Sequence, residues 1–142
     1  MKRTYKWQFH FNAVHNMTPE KEENKHTHSF LVILWMEVAE MDMEQQNLCE
    51  KELKRYLGQY NGKYLNGLDK FRGKIPTVET ICETLYYDTE KIAAAYGMEQ
   101  IQMEVGDSPV ALFVMGKKLL LGGTGQIVSD ELFEEYRQQL NQ

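Results

Sequence analysis

Two periods of hydrophobic positions divide the chain into predicted strands and predicted helices. Residues 5–14 alternate strictly between apolar and polar side chains, which indicates a half-buried first strand. Residues 28–40 carry apolar side chains on both faces, so we expect a second strand that is covered on two sides. Shorter alternating runs at 99–105 and 110–115 predict a third and a fourth strand, joined by a turn at 106–109.

Between and after the strands, the period changes to that of an amphipathic helix. Residues 44–57 form one predicted helix, and a second begins with Thr77 as its N-cap and ends at Gly97. A further short helix is expected at 130–140. The order of the elements predicts an α+β fold, with four antiparallel strands and two helices on one face. An exposed second sheet face with open edges would favour oligomerisation.

Length, composition and charge limit the classes of protein to which the chain could belong. The 142 residues suit one domain, and 42% hydrophobic with 26% charged residues is ordinary for a globular protein. A net charge of -5 argues against a nucleic-acid or anionic-membrane partner. No run approaches the length of a membrane span and none resembles a secretory leader, so we expect the cytoplasm. Cys49 and Cys82 fall in separate predicted helices and are interpreted as free structural thiols.

Three of the four histidines have the spacing of a metal site. His26 and His28 are two residues apart at the entrance to the second strand, so their imidazoles share a face. His15 follows the first strand directly, and a hairpin would carry it to the same place. Three neutral imidazoles suit a catalytic zinc with an open position, although the spacing alone is equally compatible with solvated histidines. His10 lies on the polar face of the first strand and is interpreted as a strand residue.

Two polar loops contain further residues that could act in catalysis or binding. Residues 16–25 include Glu20, Glu22 and Glu23, which are close enough in sequence to the histidines for one to act as a general base. Residues 59–75 carry a cluster of basic side chains, which is either a solvated loop or a contact for phosphates.

Four short blocks resemble a known family. They read FNAVH at 11–15, HTH at 26–28, YLN at 64–66 and PTVE at 76–79. In this order, and on these predicted elements, they are similar to the F-x-A-x-H, H-G-H, Y-L-N and P-T-x-E blocks of the 6-pyruvoyltetrahydropterin synthase family. That family includes the 6-carboxytetrahydropterin synthases.

The resemblance implies a fold, a metal and a reaction. It implies the tunnelling fold for residues 1–116, with residues 117–142 as a C-terminal extension of the same domain. Subunits of this fold join their sheets into a barrel, as a homo-oligomer of three or six chains with pterin pockets between subunits. Zn²⁺ would be held by His15, His26 and His28. The substrate would be 7,8-dihydroneopterin triphosphate or a related pterin, and the enzyme a carbon-oxygen lyase or of aldolase type.

The blocks also depart from the family at catalytic positions. Glu22 stands where the family has its catalytic cysteine, and one branch of the family carries glutamate there and cleaves the substrate side chain. Glu22 is therefore the catalytic residue that the resemblance implies. Asn61 and Gly62 stand where the family has an aspartate and a histidine. These losses leave open a non-catalytic homologue that binds metal or ligand, or an enzyme of the same fold with another substrate.

Three residues are candidates for substrate binding. Thr77 and Glu79 belong to the P-T-x-E block, and Glu104 is the glutamate nearest the end of the third strand. Alternation places Val105 on the apolar face of that strand and Glu104 on the opposite face, so only a bulge would bring Glu104 to the apolar face.

Overall fold

A computed structural model describes residues 2–40, 42–117 and residue 138. Its strands and helices, in chain order, are β1 (Arg3–His15), β2 (His26–Val38), α1 (Met43–Gly58), α2 (Val78–Ala95), β3 (Glu99–Ser108) and β4 (Ala111–Gly116). The four strands form one antiparallel sheet in the order β1-β2-β3-β4. The predicted ββααββ order is confirmed, and β2 begins two residues earlier than predicted.

One face of the sheet packs against the helices and forms the core. Because side chains alternate along each strand, one set from β1, β2 and β3 points towards α1 and α2. The fully buried members include Phe30, Val32, Leu34, Met103 and Val105. The helices contribute buried apolar side chains at Cys49, Leu53, Leu57, Ile81, Cys82 and Leu85. Both cysteines are free and buried, as predicted.

Side-chain caps fix where both helices begin. The Asp42 carboxylate accepts hydrogen bonds from the amides of Glu44 and Gln45 at the start of α1. The Thr77 hydroxyl accepts one from the amide of Thr80 at the start of α2, which confirms the predicted N-cap. Gly97 follows α2 with φ of +78°, a left-handed conformation that suits glycine at a helix end.

A segment from the loop between the helices pairs with the end of β1. The amide of Asn12 donates to Asn61 Oδ1 at 2.8 Å, and the amide of Gly62 donates to the Asn12 carbonyl at 2.6 Å. The amide of Val14 donates to the carbonyl of Lys63 at 2.8 Å. The free edge of β1 is therefore covered next to the histidines, in a region that the sequence predicted as loop alone.

The opposite face of the sheet carries a mixture of polar and apolar side chains. Trp35 is half-buried there, and its indole Nε1 donates to Glu104 Oε2 at 2.5 Å. The Lys6 ammonium lies 5.5 Å from the centroid of the Trp35 ring. The neighbouring Leu31 and Val114 are half-buried as well.

Two predictions concern residues beyond β4. The helix predicted at 130–140 lies, apart from residue 138, outside the described residues. The division into residues 1–116 and an extension from 117 stays a prediction. In the described part of the chain, neither helix is long and apolar enough to span a membrane.

Candidate metal centre

The β1–β2 hairpin brings the three predicted ligands together. His15 pairs with His26 across the two strands, and Ala13 pairs with His28. Directly opposed residues point to the same side of a sheet, so all three imidazoles lie on the face that packs against the helices. One ring nitrogen from each of the three lies within 4.8 Å of those of the other two. The cluster could hold a metal ion.

The centre is buried on one side and open on the other. His15 is only 3% exposed, and its ring packs edge-on against Phe30 with 5.2 Å between centroids. His28 is half-buried, whereas His26 is exposed. Such a site holds its ligands against a rigid core and leaves room for water or a substrate on the exposed side.

Two backbone carbonyls orient the rings. His15 Nδ1 lies 2.8 Å from the carbonyl oxygen of Pro76, and His26 Nδ1 lies 3.0 Å from that of Asn24. A carbonyl can only accept, so each Nδ1 carries a proton, and in the neutral imidazole each Nε2 then has a free lone pair. His15 Nε2 is buried without a hydrogen-bond partner. This combination is typical of histidines that bind a metal through Nε2, so the residues fit a zinc ion.

The surroundings of His15 also favour its neutral form. Burial lowers the pKa of His15, and the nearby rings of His26 and His28 lower it further. The hydrogen bond to Pro76 and the charge of Asp107 act in the opposite direction without cancelling the effect. A neutral imidazole is the form that binds a metal, so the buried ring is prepared for that role.

Comparison with known proteins identifies the family. The sequence model described as 6-pyruvoyl tetrahydropterin synthase matches residues 4–117, most of the chain. The chain belongs to the 6-pyruvoyl tetrahydropterin synthase family. The resemblance seen in the four sequence blocks is thereby confirmed.

Two solved structures share the fold at low sequence identity. The 6-pyruvoyl tetrahydropterin synthase of Caenorhabditis elegans is 15% identical, with a TM-score of 0.67 over 82% of this chain and 96% of that one. An uncharacterized protein of Wolinella succinogenes is 13% identical, with a TM-score of 0.59 over 82% of this chain and 98% of that one. A search of curated proteins by sequence found no match.

Glu22, which the resemblance implies as the counterpart of the family cysteine, lies on the surface of the loop before β2. It begins a short 3-10 turn, Glu22–Asn24, and its carboxylate contacts the Lys25 ammonium at 2.5 Å. That hydrogen bond raises the pKa of Lys25, whose ammonium also lies 4.4 Å from the centroid of the Tyr64 ring. Among the described residues, Glu22 is not part of the group of converging ligand atoms.

The three candidates for substrate binding lie in two places. Thr77 and Glu79 are at the start of α2, which follows Pro76, the residue whose carbonyl bonds to His15. Thr77 Oγ1 is also 3.0 Å from Thr80 Oγ1. Glu104 pairs with Ile33 on the sheet face opposite the histidines, as alternation predicted.

Irregularities in the sheet do not change the position of Glu104. The register shifts between Trp35 and Met36 and again between Val105 and Ser108. Neither shift places Glu104 on the histidine face, because Val105 still occupies the buried face beside it.

Asn61 and Gly62, for which the resemblance implies the positions of a family aspartate and histidine, both bond to the edge of β1. The Asn61 side chain accepts the hydrogen bond from Asn12 on the edge of β1. Gly62 has φ of +77°, and its amide also bonds to Asn12. Both residues hold the strand edge, and neither offers a group for proton transfer.

Sequence reasoning missed the residues that support the ligands. The sequence predicts only a block position at a helix start for Pro76 and only a polar loop for Asn16, whereas Asn16 is fully buried. Asn66 lay in the Y-L-N block but was given no role. The block spacing was the only signal for Asn66 and Pro76, and it did not indicate what they contact.

Proposed function

We propose that this chain is a zinc-dependent enzyme of the 6-pyruvoyltetrahydropterin synthase type. Its substrate would be 7,8-dihydroneopterin triphosphate or a related pterin. The observation that carries the proposal is the convergence of three imidazoles on one sheet face, with the Nε2 of His15 buried and without a partner. A folded protein keeps an unpaired buried polar atom at a cost of about 1–3 kcal/mol, which binding of a metal would offset.

The histidines would hold the metal, and the loop before His26 would supply the base. Zinc, when bound there, would supply Lewis-acid chemistry towards the oxygen atoms of the substrate side chain. We assign proton removal to the Glu22 carboxylate, which is exposed to incoming substrate four residues before His26. Lys25 contacts Glu22 and the Tyr64 ring at once, so it holds the carboxylate close to the Y-L-N segment.

Binding of the pterin ring is assigned to both faces of the sheet. Thr77 and Glu79 would contact a substrate bound at the histidines, because both lie in the first turn region of α2, which follows Pro76. Glu104 would contribute to a pocket completed by another subunit. The half-buried Leu31 and Val114 on the same face support association of this surface with further copies, in a trimer or hexamer.

Turnover by variants of one loop tests the proposal. The zinc-loaded protein is incubated anaerobically with 7,8-dihydroneopterin triphosphate, and products are separated by chromatography with fluorescence detection. We expect a 6-substituted tetrahydropterin or 6-hydroxymethyl-dihydropterin from the wild type. Glu22→Gln should lower turnover by about 10²-fold or more and retain its zinc, since a general base typically contributes that much. Glu20→Gln, an exposed carboxylate of the same loop, is the matched control and should keep full turnover.

A second candidate function is a homologue that binds metal and ligand without catalysis. It is favoured by the use of Asn61 and Gly62 in holding the edge of β1. Full zinc occupancy without formation of either product would support this function and contradict the enzyme proposal. Turnover that is unchanged in Glu22→Gln would leave an enzyme but remove Glu22 as its base.

A further inference from the structure

A fully buried asparagine follows the first metal ligand. Asn16 has 0% exposure, and buried polar groups are stable only when they are hydrogen-bonded. Its backbone amide donates to Asn66 Oδ1 and its carbonyl accepts from Asn66 Nδ2, each at 2.8 Å. Its side chain donates to the carbonyl of Lys21 at 3.0 Å and accepts from the amide of Thr18 at 2.9 Å. Asn16 thus connects the Y-L-N segment with the loop before β2.

The same hydrogen bonds continue to the second ligand. Asn24 Nδ2 donates to the hydroxyl of Thr18 at 2.6 Å, and the Asn24 carbonyl accepts from His26 Nδ1 at 3.0 Å. One network therefore has His15 at one end, as the covalent neighbour of Asn16, and His26 at the other. Internal hydrogen bonds therefore hold together the intervening loop, which the sequence predicted only as a polar loop.

We propose that Asn66 is a positioning residue of the metal centre, which fixes His15 through the backbone of Asn16 and, through the Asn16 side chain, fixes the loop that leads to His26. The inference rests on the proposed function in one respect, that the histidine cluster binds zinc.

The chemistry of the asparagine side chain explains why this residue type is used. A carboxamide offers one acceptor and two donors, so it can pair with the N–H and C=O of a single residue as a second backbone would. Aspartate lacks the donor, and alanine lacks both groups. Asn66 belongs to the short turn Leu65–Gly67, where Leu65 is fully buried in the core. The core thus provides a rigid support for Asn16.

The expected effect is on metal affinity. A loop that is free before binding must be ordered by the metal, and the conformational entropy lost in that ordering weakens binding. Changes to groups that support metal ligands cost about 10–100-fold in affinity, and Asn66 acts on the backbone beside a ligand, so we expect about tenfold.

Zinc affinity of two asparagine variants tests the proposal. The full chain is titrated with zinc in competition with a chromophoric chelator. Asn66→Ala should bind about tenfold more weakly than wild type. Asn61→Ala is the matched control, because Asn61 Oδ1 makes the same kind of bond to the edge of β1, at Asn12, without a bond to the metal loop. It should bind zinc as wild type does.

A second measurement does not depend on the metal. In the zinc-free protein, the amide of Asn16 should exchange its hydrogen faster in Asn66→Ala than in wild type or Asn61→Ala. If Asn66→Ala does not fold, Asn16→Ala takes its place. That variant keeps the backbone bonds to Asn66 and releases Thr18 and Lys21, and it should also bind zinc more weakly.

The outcomes separate this inference from the proposed function. A wild type that binds no zinc contradicts the proposed function, while hydrogen exchange still shows whether Asn66 holds Asn16. Zinc affinity unchanged in folded Asn66→Ala overturns the inference and leaves the proposed function intact. Equal losses of zinc affinity in Asn61→Ala and Asn66→Ala also overturn the inference, because they would indicate a general weakening of the edge of β1. Unchanged zinc affinity in Asn16→Ala, where that variant is needed, has the same meaning.

Discussion

Replacement of His15 by asparagine would separate metal binding from folding. The Asn amide nitrogen can take the place of Nδ1 and keep the hydrogen bond to the carbonyl of Pro76. It has no atom that corresponds to Nε2, which is buried without a partner in the structure. His15→Asn therefore removes the metal ligand Nε2, while the asparagine Oδ1 takes the place of ring carbon Cδ2 as a new buried acceptor.

The substitution His15→Asn should change the stability of the zinc-free protein and of the zinc-bound protein by different amounts. Without metal, the loss of the unpaired Nε2 and the gain of the buried Oδ1 are each worth about 1–3 kcal/mol and largely offset each other. Loss of ring atoms that pack on Phe30 costs about 1–2 kcal/mol, so the free energy of unfolding should fall by about that amount. With free zinc a hundredfold above its Kd, the wild type gains about 2.7 kcal/mol. For a domain of this size that is roughly 10 °C in Tm, and the variant should gain none of it.

Thermal unfolding with and without zinc measures both effects. The proteins are stripped with a chelator, and Tm is recorded before and after zinc is added. His10→Asn is the control, because His10 is exposed on the opposite sheet face and should leave the zinc-induced rise intact. An equal rise in His15→Asn would refute the assignment of the site. A loss of more than about 3 kcal/mol in the zinc-free variant would mean that Nε2 has a stabilising partner, in conflict with the reasoning.

Two further predictions concern groups outside the metal centre. Burial raises the pKa of Asp88, but hydrogen bonds from Lys70 and Tyr56 outweigh burial and hold that pKa below its usual value. The resulting stability is present above about pH 4 and is lost as the pH falls through the folded-state pKa. Urea unfolding at pH 7 and pH 3 should therefore differ less for Asp88→Asn than for wild type; an equal difference would count against the ion pair. Burial also raises the pKa of Cys49 to about 11 and raises that of Cys82 further. Both thiols should react with a disulfide reagent at pH 8 only when the chain unfolds, and rapid labelling of the native protein would contradict this.

The local pattern of hydrophobic and polar residues was sufficient to predict the strands and helices, and the sheet face on which several side chains lie. Strict alternation placed the first strand and its buried side, and the two-residue spacing of His26 and His28 placed both imidazoles on one face. Alternation also predicted correctly that Glu104 lies opposite the core. The N-cap at Thr77 followed from its residue type. All of these follow from the period of a strand or a helix, which neighbouring residues express by themselves.

The tertiary structure decided how the ligands are supported. His15 bonds to Pro76, which is 61 residues away in sequence, and Asn16 bonds to Asn66, which is 50 residues away. Whether such groups meet depends on the register of the hairpin and on how the loop between the helices packs against β1. No local period encodes those distances. The sequence by itself therefore determined which residues could bind a metal, and only folding decided which carbonyls and amides hold them in place.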